Sequence, residues 1–378
     1  MEQHKISPSK VAIIHDWLIG VGGAEKVLSQ LLILYPDATV FCALDFLDDQ
    51  NRTNLLQGKK TTTTFLNKIP LAKKYYRFLI PLFYRSIEKL PLDGFDLIIS
   101  SSHSIAKGVK TNSNQQHFCY CHTPMRYVWN MKKTYLENLP FFVKPIAMKQ
   151  FKRLRNWDLE NSSRVDYFIA NSNFIANRIK SNYNRESTVI HPPVDDIFYH
   201  LPDVQIPIAN RESFFLVVSR LVNYKKIDLI IAAFNQLPNH KLVIIGDGPQ
   251  RKKLTKMANS NITMLGYQSK DRVRHYLQEA QAIVVAAIED FGITSLQAQA
   301  CGTPVIALGY GGYLDSVIPD KTGVFFNQQT VASLIEGIHK FEQIKVSLDH
   351  LEIRKNAEKF GNKLFRKKIQ SFIEAHTK

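Results

Sequence analysis

A chain of 378 residues is too long for one ordinary hydrophobic core, so two domains of similar size are expected. Its 45% apolar and 11% aromatic content excludes a disordered chain, and no apolar run approaches the length that spans a bilayer. A formal net charge of +16 points to an anionic partner, whether nucleic acid, an anionic membrane surface or a phosphorylated substrate.

The opening MEQHKISPSK has no signal-peptide core before the first strand, so a cytosolic protein is expected. That strand, Val11 to Ile14, is followed by His15, Asp16 and Trp17, then by Gly20, Gly22 and Gly23, and by a helix from about Ala24 to Leu34. The strand, glycine loop and helix suit a phosphate or a sugar hydroxyl approaching the backbone near Gly22 and Gly23; the alternative is a plain turn. A dinucleotide fingerprint requires a third glycine where Glu25 stands, which counts against NAD.

From Lys59 to Lys89, basic residues alternate with Tyr75, Tyr76, Phe78, Phe83 and Tyr84, and a second basic run covers Lys144 to Arg155. Such a surface suits anionic lipid headgroups, or else forms a solvated helix face with its core stripe. Nucleic-acid binding fits the charge but lacks a recognisable module. Asp96 to Ser100 and His117 to Tyr120 read as buried strands, the second delivering His122 to a strand end as a functional or packing histidine. Asp166 to Ala170 and Thr188 to His191 follow, and Pro192 and Pro193 stiffen the exit. The boundaries expected are 1–196 for the first domain, rejoined by a helix over 360–378, and 197–359 for the second.

The second half repeats the pattern. Phe214 to Val218 is an apolar strand ending at Ser219 and Arg220, and the loop after it leads through Lys225 into a helix. Cations at a strand end are costly unless they meet an anion, so Arg220 and Lys225 read as a diphosphate clamp or as a basic surface turn. Leu242 to Ile245 runs into Gly246, and Ile262 to Leu265 into Gly266 and Tyr267, where a nucleotide base can be bracketed. The apolar run Ala282 to Ile288 then delivers Glu289 and Asp290 to a helix beginning near Ile293 or Thr294, with Gly302 as its cap. The amides of Phe291, Gly292, Ile293 and Thr294 would face an anion, while Glu289 would accept hydrogen bonds from sugar hydroxyls. The strands Val305 to Ala307 and Gly323 to Phe326 end the sheet, and Leu348 to His376 is helical. Cys42, Cys119, Cys121 and Cys301 lack zinc-type spacing and read as reduced core thiols.

Taken together and in order, GVGGAEKV, CHTPMRYVW, SRLVNYKKIDLIIAAF, IGDGP and EDFGITSLQAQACGTPVIA resemble the retaining glycosyltransferases of family 4, most closely those that build bacterial exopolysaccharide and O-antigen. The resemblance implies an α/β protein of GT-B fold, two Rossmann-like domains facing each other across a cleft, the first binding acceptor and the second a nucleotide-sugar donor. It implies that Glu289 holds donor-sugar hydroxyls, that Arg220 and Lys225 neutralise the leaving diphosphate, and that His122 and the Gly22–Gly23 loop lie near the donor. Ser219, Gly246, Tyr267, Asp290 and Gln297 complete the donor-binding candidates. Gln297 departs from the family, which has a ribose-binding glutamate there; losing that charged acceptor costs about 1–2 kcal/mol of nucleotide binding.

The activity implied is transfer of a hexose, with retention, from a UDP-sugar or GDP-sugar to a lipid-linked saccharide at the inner face of the cell membrane. No cofactor is expected, and without an Asp-x-Asp pair no metal. The alternatives are an epimerase or phosphorylase on the same fold, and a non-catalytic basic protein that binds membrane or nucleic acid.

Overall fold

A computed structural model describes residues 10–130, 135–136, 139–200, 208, 211 and 213–377. Met1 to Ser9, within the expected leaderless start, lie outside the described residues, as do the side chains of Arg77 and Phe78 in the basic, aromatic stretch. The chain packs as two units, one of Met1–Pro192 with Phe365–Lys378 and one of Pro193–Leu364.

In the first unit, seven strands lie in the order β3-β2-β1-β4-β5-β6-β7, with every pairing parallel. They are β1 (Val11–His15), β2 (Thr39–Cys42), β3 (Thr61–Thr63), β4 (Leu97–Ser102), β5 (Gln116–Cys121), β6 (Tyr167–Ala170) and β7 (Ser187–Val189). Successive residues of β1 enter opposite cores: Ala12 and Ile14 pack with Phe83, Ile87 and Trp157, while Ile13 packs with Val27, Leu28 and Leu31 of the helix Gly23–Leu34. A strand buried on both faces shows no alternation, as at residues 11–14 of β1 and 97–99 of β4, whose C-terminal ends then turn polar at His15 and at Ser100, Ser101 and Ser102. Phe365, Ile369 and Ile373 of the helix Asn362–His376 also enter the second of these cores.

One buried charge in this unit belongs to the packing. Lys107, almost wholly buried, pairs with Asp158, whose other oxygen accepts from Trp129 Nε1 at 2.7 Å and Tyr183 Oη at 2.6 Å. Burial pulls the Lys107 ammonium pKa down, and Asp158 outweighs that and leaves it raised. The group therefore stays charged inside a satisfied network.

The second unit carries six parallel strands in the order β10-β9-β8-β11-β12-β13. These are β8 (Phe214–Val218), β9 (Lys241–Ile245), β10 (Ile262–Gly266), β11 (Ala282–Val285), β12 (Val305–Leu308) and β13 (Gly323–Phe326). Phe215, Val217 and Val284 fill one face, and Phe214, Leu216 and Ile283 the other.

Two expectations need correction here. The strand expected over Ala282 to Ile288 stops at Val285, and Glu289 instead bridges to Gly311. Apolar character runs past the strand because Ala286 and Ala287 are buried in the turn. The helical tail breaks at Phe360 and Gly361 between the helices His350–Glu358 and Asn362–His376. In the stretch Lys59 to Lys89, Leu66, Ala72, Phe83 and Ile87 form a core stripe, as one of the two alternatives has it, and Phe65, Leu71, Tyr75 and Leu82 are exposed.

Candidate active site

In an open parallel sheet, the loops after two neighbouring strands part where the strand order reverses, and ligands collect there. The second unit reverses between β8 and β11. A hollow lies at that point, lined by Ser219 after β8, Lys225, Glu289 and the helix start at Gly292, Ile293 and Thr294.

The helix Ile293–Ala300 is built for this position at both ends. Its N-cap, Gly292, has φ +81°, and an added Cβ would sit 2.3 Å from Cε1 of the buried Tyr313, so only glycine lets the chain turn in here. Beyond the far end, Gly302 at φ +70° donates its N–H to Gln299 O, and Thr303 N–H donates to Ala298 O, closing the helix. Buried Arg211 then ties Gly302 O at 3.0 Å and Thr303 Oγ1 at 2.7 Å. The helix is fixed, and its first-turn amides and positive dipole end border the hollow.

Lys225 ends the short turn Asn223–Lys225, and its ammonium pairs with Glu289 Oε1, both side chains being largely buried. Glu289, expected to accept hydrogen bonds from sugar hydroxyls, is paired here through Oε1 with Lys225, 64 residues away in sequence. Arg220, expected to clamp a diphosphate together with Lys225, does not line the hollow. Leu221 takes the buried place, its N–H donating to Asp247 O at 2.9 Å, and the Arg220 side chain is left exposed.

Of the other donor-binding candidates in this unit, Gly246, Tyr267, Asp290, Phe291 and Gln297 do not line the hollow. Phe291 turns its ring into the core, 5.9 Å from Phe360. Gly246 is required by packing, since a Cβ there would meet Ser219 O at 1.8 Å. Tyr267 is 80% exposed. Gln297 lies on the helix Ile293–Ala300, which starts after Gly292, so Glu289 is not on the same helix.

The first unit reverses between β1 and β4, and its strand ends carry His15, Ser101 and, from the neighbouring β5, His122. Ser101 Oγ lies 3.2 Å from His15 Nδ1 and 2.9 Å from His122 Nε2. Burial, with His103 and His15 nearby, holds the His122 imidazole well below the usual histidine range, so it is neutral. Gly22 donates its N–H to Glu25 Oε2 at 2.8 Å, while Glu25 Oε1 stands 3.6 Å from His15 Nε2. A Cβ on Gly23 would meet nothing within 4 Å. Beside this group, buried Asp16 accepts the backbone N–H groups of His103, Ser104, Ile105 and Ala106 and faces His103 Nδ1 at 3.0 Å.

Sequence reasoning missed His15, Glu25, Ser101 and Asp16 as site residues. One signal was available: a glutamate three residues after a helix-capping position turns back to the cap, as Glu25 does to Gly22. Among the described residues, no group of three His, Cys, Asp or Glu is placed to hold a metal ion, and no helix is long and apolar enough to cross a membrane. The four cysteines are buried free thiols.

Two doubly wound parallel sheets, one offering a cation, a carboxylate and a helix N-terminus at its switch point, define a doubly wound α/β protein. Residues 21–197 match Glycosyltransferase Family 4, and residues 203–363 match the Glycosyl transferases group 1 family. Along 97% of its length the chain matches the lipopolysaccharide outer core galactosyltransferase WaaB in its apo form (TM-score 0.67, 19% identity, 99% of that chain). It also matches Anabaena Alr3699/HepE in complex with UDP-glucose (TM-score 0.69, 18% identity, 97% of this chain and 99% of that chain). The D-inositol 3-phosphate glycosyltransferase of Mycobacteroides abscessus is 26% identical over 213 residues, 51% of this chain and 46% of that protein. The chain spans about half the length of the curated relatives it matches, 46% and 56% for the first two. Its fold is GT-B, and its two units are similar to Glycosyltransferase Family 4 and to the Glycosyl transferases group 1 family.

Proposed function

We propose that this protein transfers a hexose, with retention of anomeric configuration, from a nucleoside-diphosphate sugar to a lipid-linked saccharide in exopolysaccharide assembly. The observation that carries the reading is the convergence of Lys225, Glu289 and the N-terminus of the helix Ile293–Ala300 on one hollow. A departing diphosphate needs fixed positive potential, and an ammonium beside oriented amides supplies it without reorganisation. On donor binding, Lys225 exchanges Glu289 for the diphosphate, and the freed carboxylate takes the sugar hydroxyls. Arg220, exposed on its loop, adds charge to the phosphates, and Ser219 lines their seat. Gly246, Tyr267, Asp290, Phe291 and Gln297 contribute to the donor site around that seat, and His122 with the Gly22–Gly23 loop contacts donor and acceptor.

The acceptor oxygen forms the new bond to the anomeric carbon on the face from which the phosphate oxygen leaves. The acceptor proton passes to that leaving oxygen, so no protein nucleophile is used. UDP-glucose is the first donor to test and GDP-mannose the second. A thermal-shift panel of nucleotide sugars is expected to show one donor raising Tm by mass action, about 2.7 kcal/mol of stabilisation at a hundred times Kd. No shift with any UDP- or GDP-sugar at millimolar concentration would remove the reading.

The same reading places the protein on the inner face of the membrane. Phe141 (84% exposed), Phe142 (66%) and Ile146 (65%) stand beside Lys144, Lys149, Lys152 and Arg153 at the start of the helix Lys144–Ser162. Exposed apolar rings amid cations match an anionic lipid surface, each cation adding about 1 kcal/mol near it. In flotation assays the protein is expected to rise with vesicles containing phosphatidylglycerol and to stay down with neutral ones. Equal behaviour with both would remove the membrane assignment.

A further inference from the structure

We propose that Glu25 sets the tautomer of His122 through His15 and Ser101, leaving His122 Nδ1 as a hydrogen-bond acceptor. The four side chains form one line: Glu25 Oε1 to His15 Nε2 at 3.6 Å, His15 Nδ1 to Ser101 Oγ at 3.2 Å, and Ser101 Oγ to His122 Nε2 at 2.9 Å.

Direction along the line follows from proton counting. Glu25 Oε2 is engaged by Gly22 N–H, and burial, which alone would raise the carboxyl pKa, is outweighed by His15, which holds it below the usual range. Glu25 is therefore ionised and only accepts. His15 is wholly buried, and its Nε2 has no partner within hydrogen-bond distance, so the nearest group it faces is that carboxylate. A proton at Nε2 is attracted there, and a bare lone pair is repelled.

Above the ordinary imidazole range, with the one ring proton held at Nε2, His15 has a bare Nδ1. The single hydroxyl proton of Ser101 goes to it, and Ser101 Oγ must accept from His122 Nε2–H. His122 Nδ1 is left without a proton. His103, whose ring lies 6.1 Å from that of His15, is turned to Asp16 and stays outside the line. Glu25, His15 and Ser101 are positioning residues. Resting on the sugar-transfer reading, their effect there is that His122 accepts from a substrate hydroxyl.

The tautomer is read without substrate, so failure of the transfer reading would leave this test intact. In the full chain labelled with ¹⁵N-histidine, two-bond proton–nitrogen correlation spectra at pH 8 lie above the ordinary imidazole range of about 6.5. His122 is assigned by the signals lost in His122→Gln. The expected wild-type pattern is a proton on Nε2 and a bare Nδ1. Glu25→Gln keeps an acceptor for Gly22 and turns an amide N–H₂ toward His15 Nε2. It should reverse every bond in the line and move the His122 proton to Nδ1. In a Ser101→Ala background, Glu25→Gln should leave His122 unchanged. A merely capping role for Glu25 would alter helix stability and not the His122 pattern. A wild-type proton on Nδ1, or a His122 pattern indifferent to Glu25→Gln, would overturn the proposal.

Discussion

Replacing Lys225 with alanine is expected to lower kcat by about 10²–10³-fold, the usual effect of deleting one preorganised charge-stabilising donor. Stability should change little, because both side chains, though largely buried, border the hollow, where water can solvate the Glu289 carboxylate left behind. Methionine at this position should behave like alanine, since it is the charge that acts. Arginine should restore part of the rate, with imperfect geometry. Turnover of Lys225→Ala within a factor of a few of wild type would show that the ammonium does not meet the diphosphate.

Gly292→Ala should do its damage through the backbone. A left-handed φ of +81° costs an L-residue about 1–2 kcal/mol, and the added carbon would lie 2.3 Å from the Tyr313 ring, which is buried and has nowhere to swing. Overpacking of that kind adds about 1–3 kcal/mol. The second unit should therefore melt about 5–15 °C lower by calorimetry. Because the same glycine starts the helix, the first-turn amides move with it, and nucleotide-sugar binding should weaken even at temperatures where the variant is folded. An unchanged melting temperature would mean that the turn accepts a side chain, and the account of the helix entry would fail.

What was legible in the sequence is what buried parallel strands make legible. Phe214–Val218 and Gly323–Phe326 are uniform apolar runs bounded by polar or glycine residues, and their limits agree with expectation. The start of the helix at Ile293 was legible because Gly292 stops the preceding turn. The end of β11 was not, since Ala286 and Ala287 are as apolar as the strand and are buried in the turn for other reasons.

At the candidate site the residue types were legible and their partners were not. That a lysine after β8 and a glutamate after β11 share a switch point follows from strand order, and motif reading pointed to both. That they neutralise each other requires the pairing of β8 with β11, which no local pattern encodes. Arg220 shows the converse: it neighbours a motif lysine in sequence, yet the turn that buries Leu221 sends it outward. The line from Glu25 to His122 joins a helix and three strands, so only the folded register reveals it.

The measurement that bears most directly on the account is a crystal structure of the protein with its stabilising nucleotide sugar bound. The account predicts diphosphate oxygens within about 3 Å of Lys225 Nζ and of the backbone N–H groups of Ile293 or Thr294, with Glu289 turned to the hexose hydroxyls. A diphosphate held elsewhere, with the ion pair between Lys225 and Glu289 intact, would contradict it.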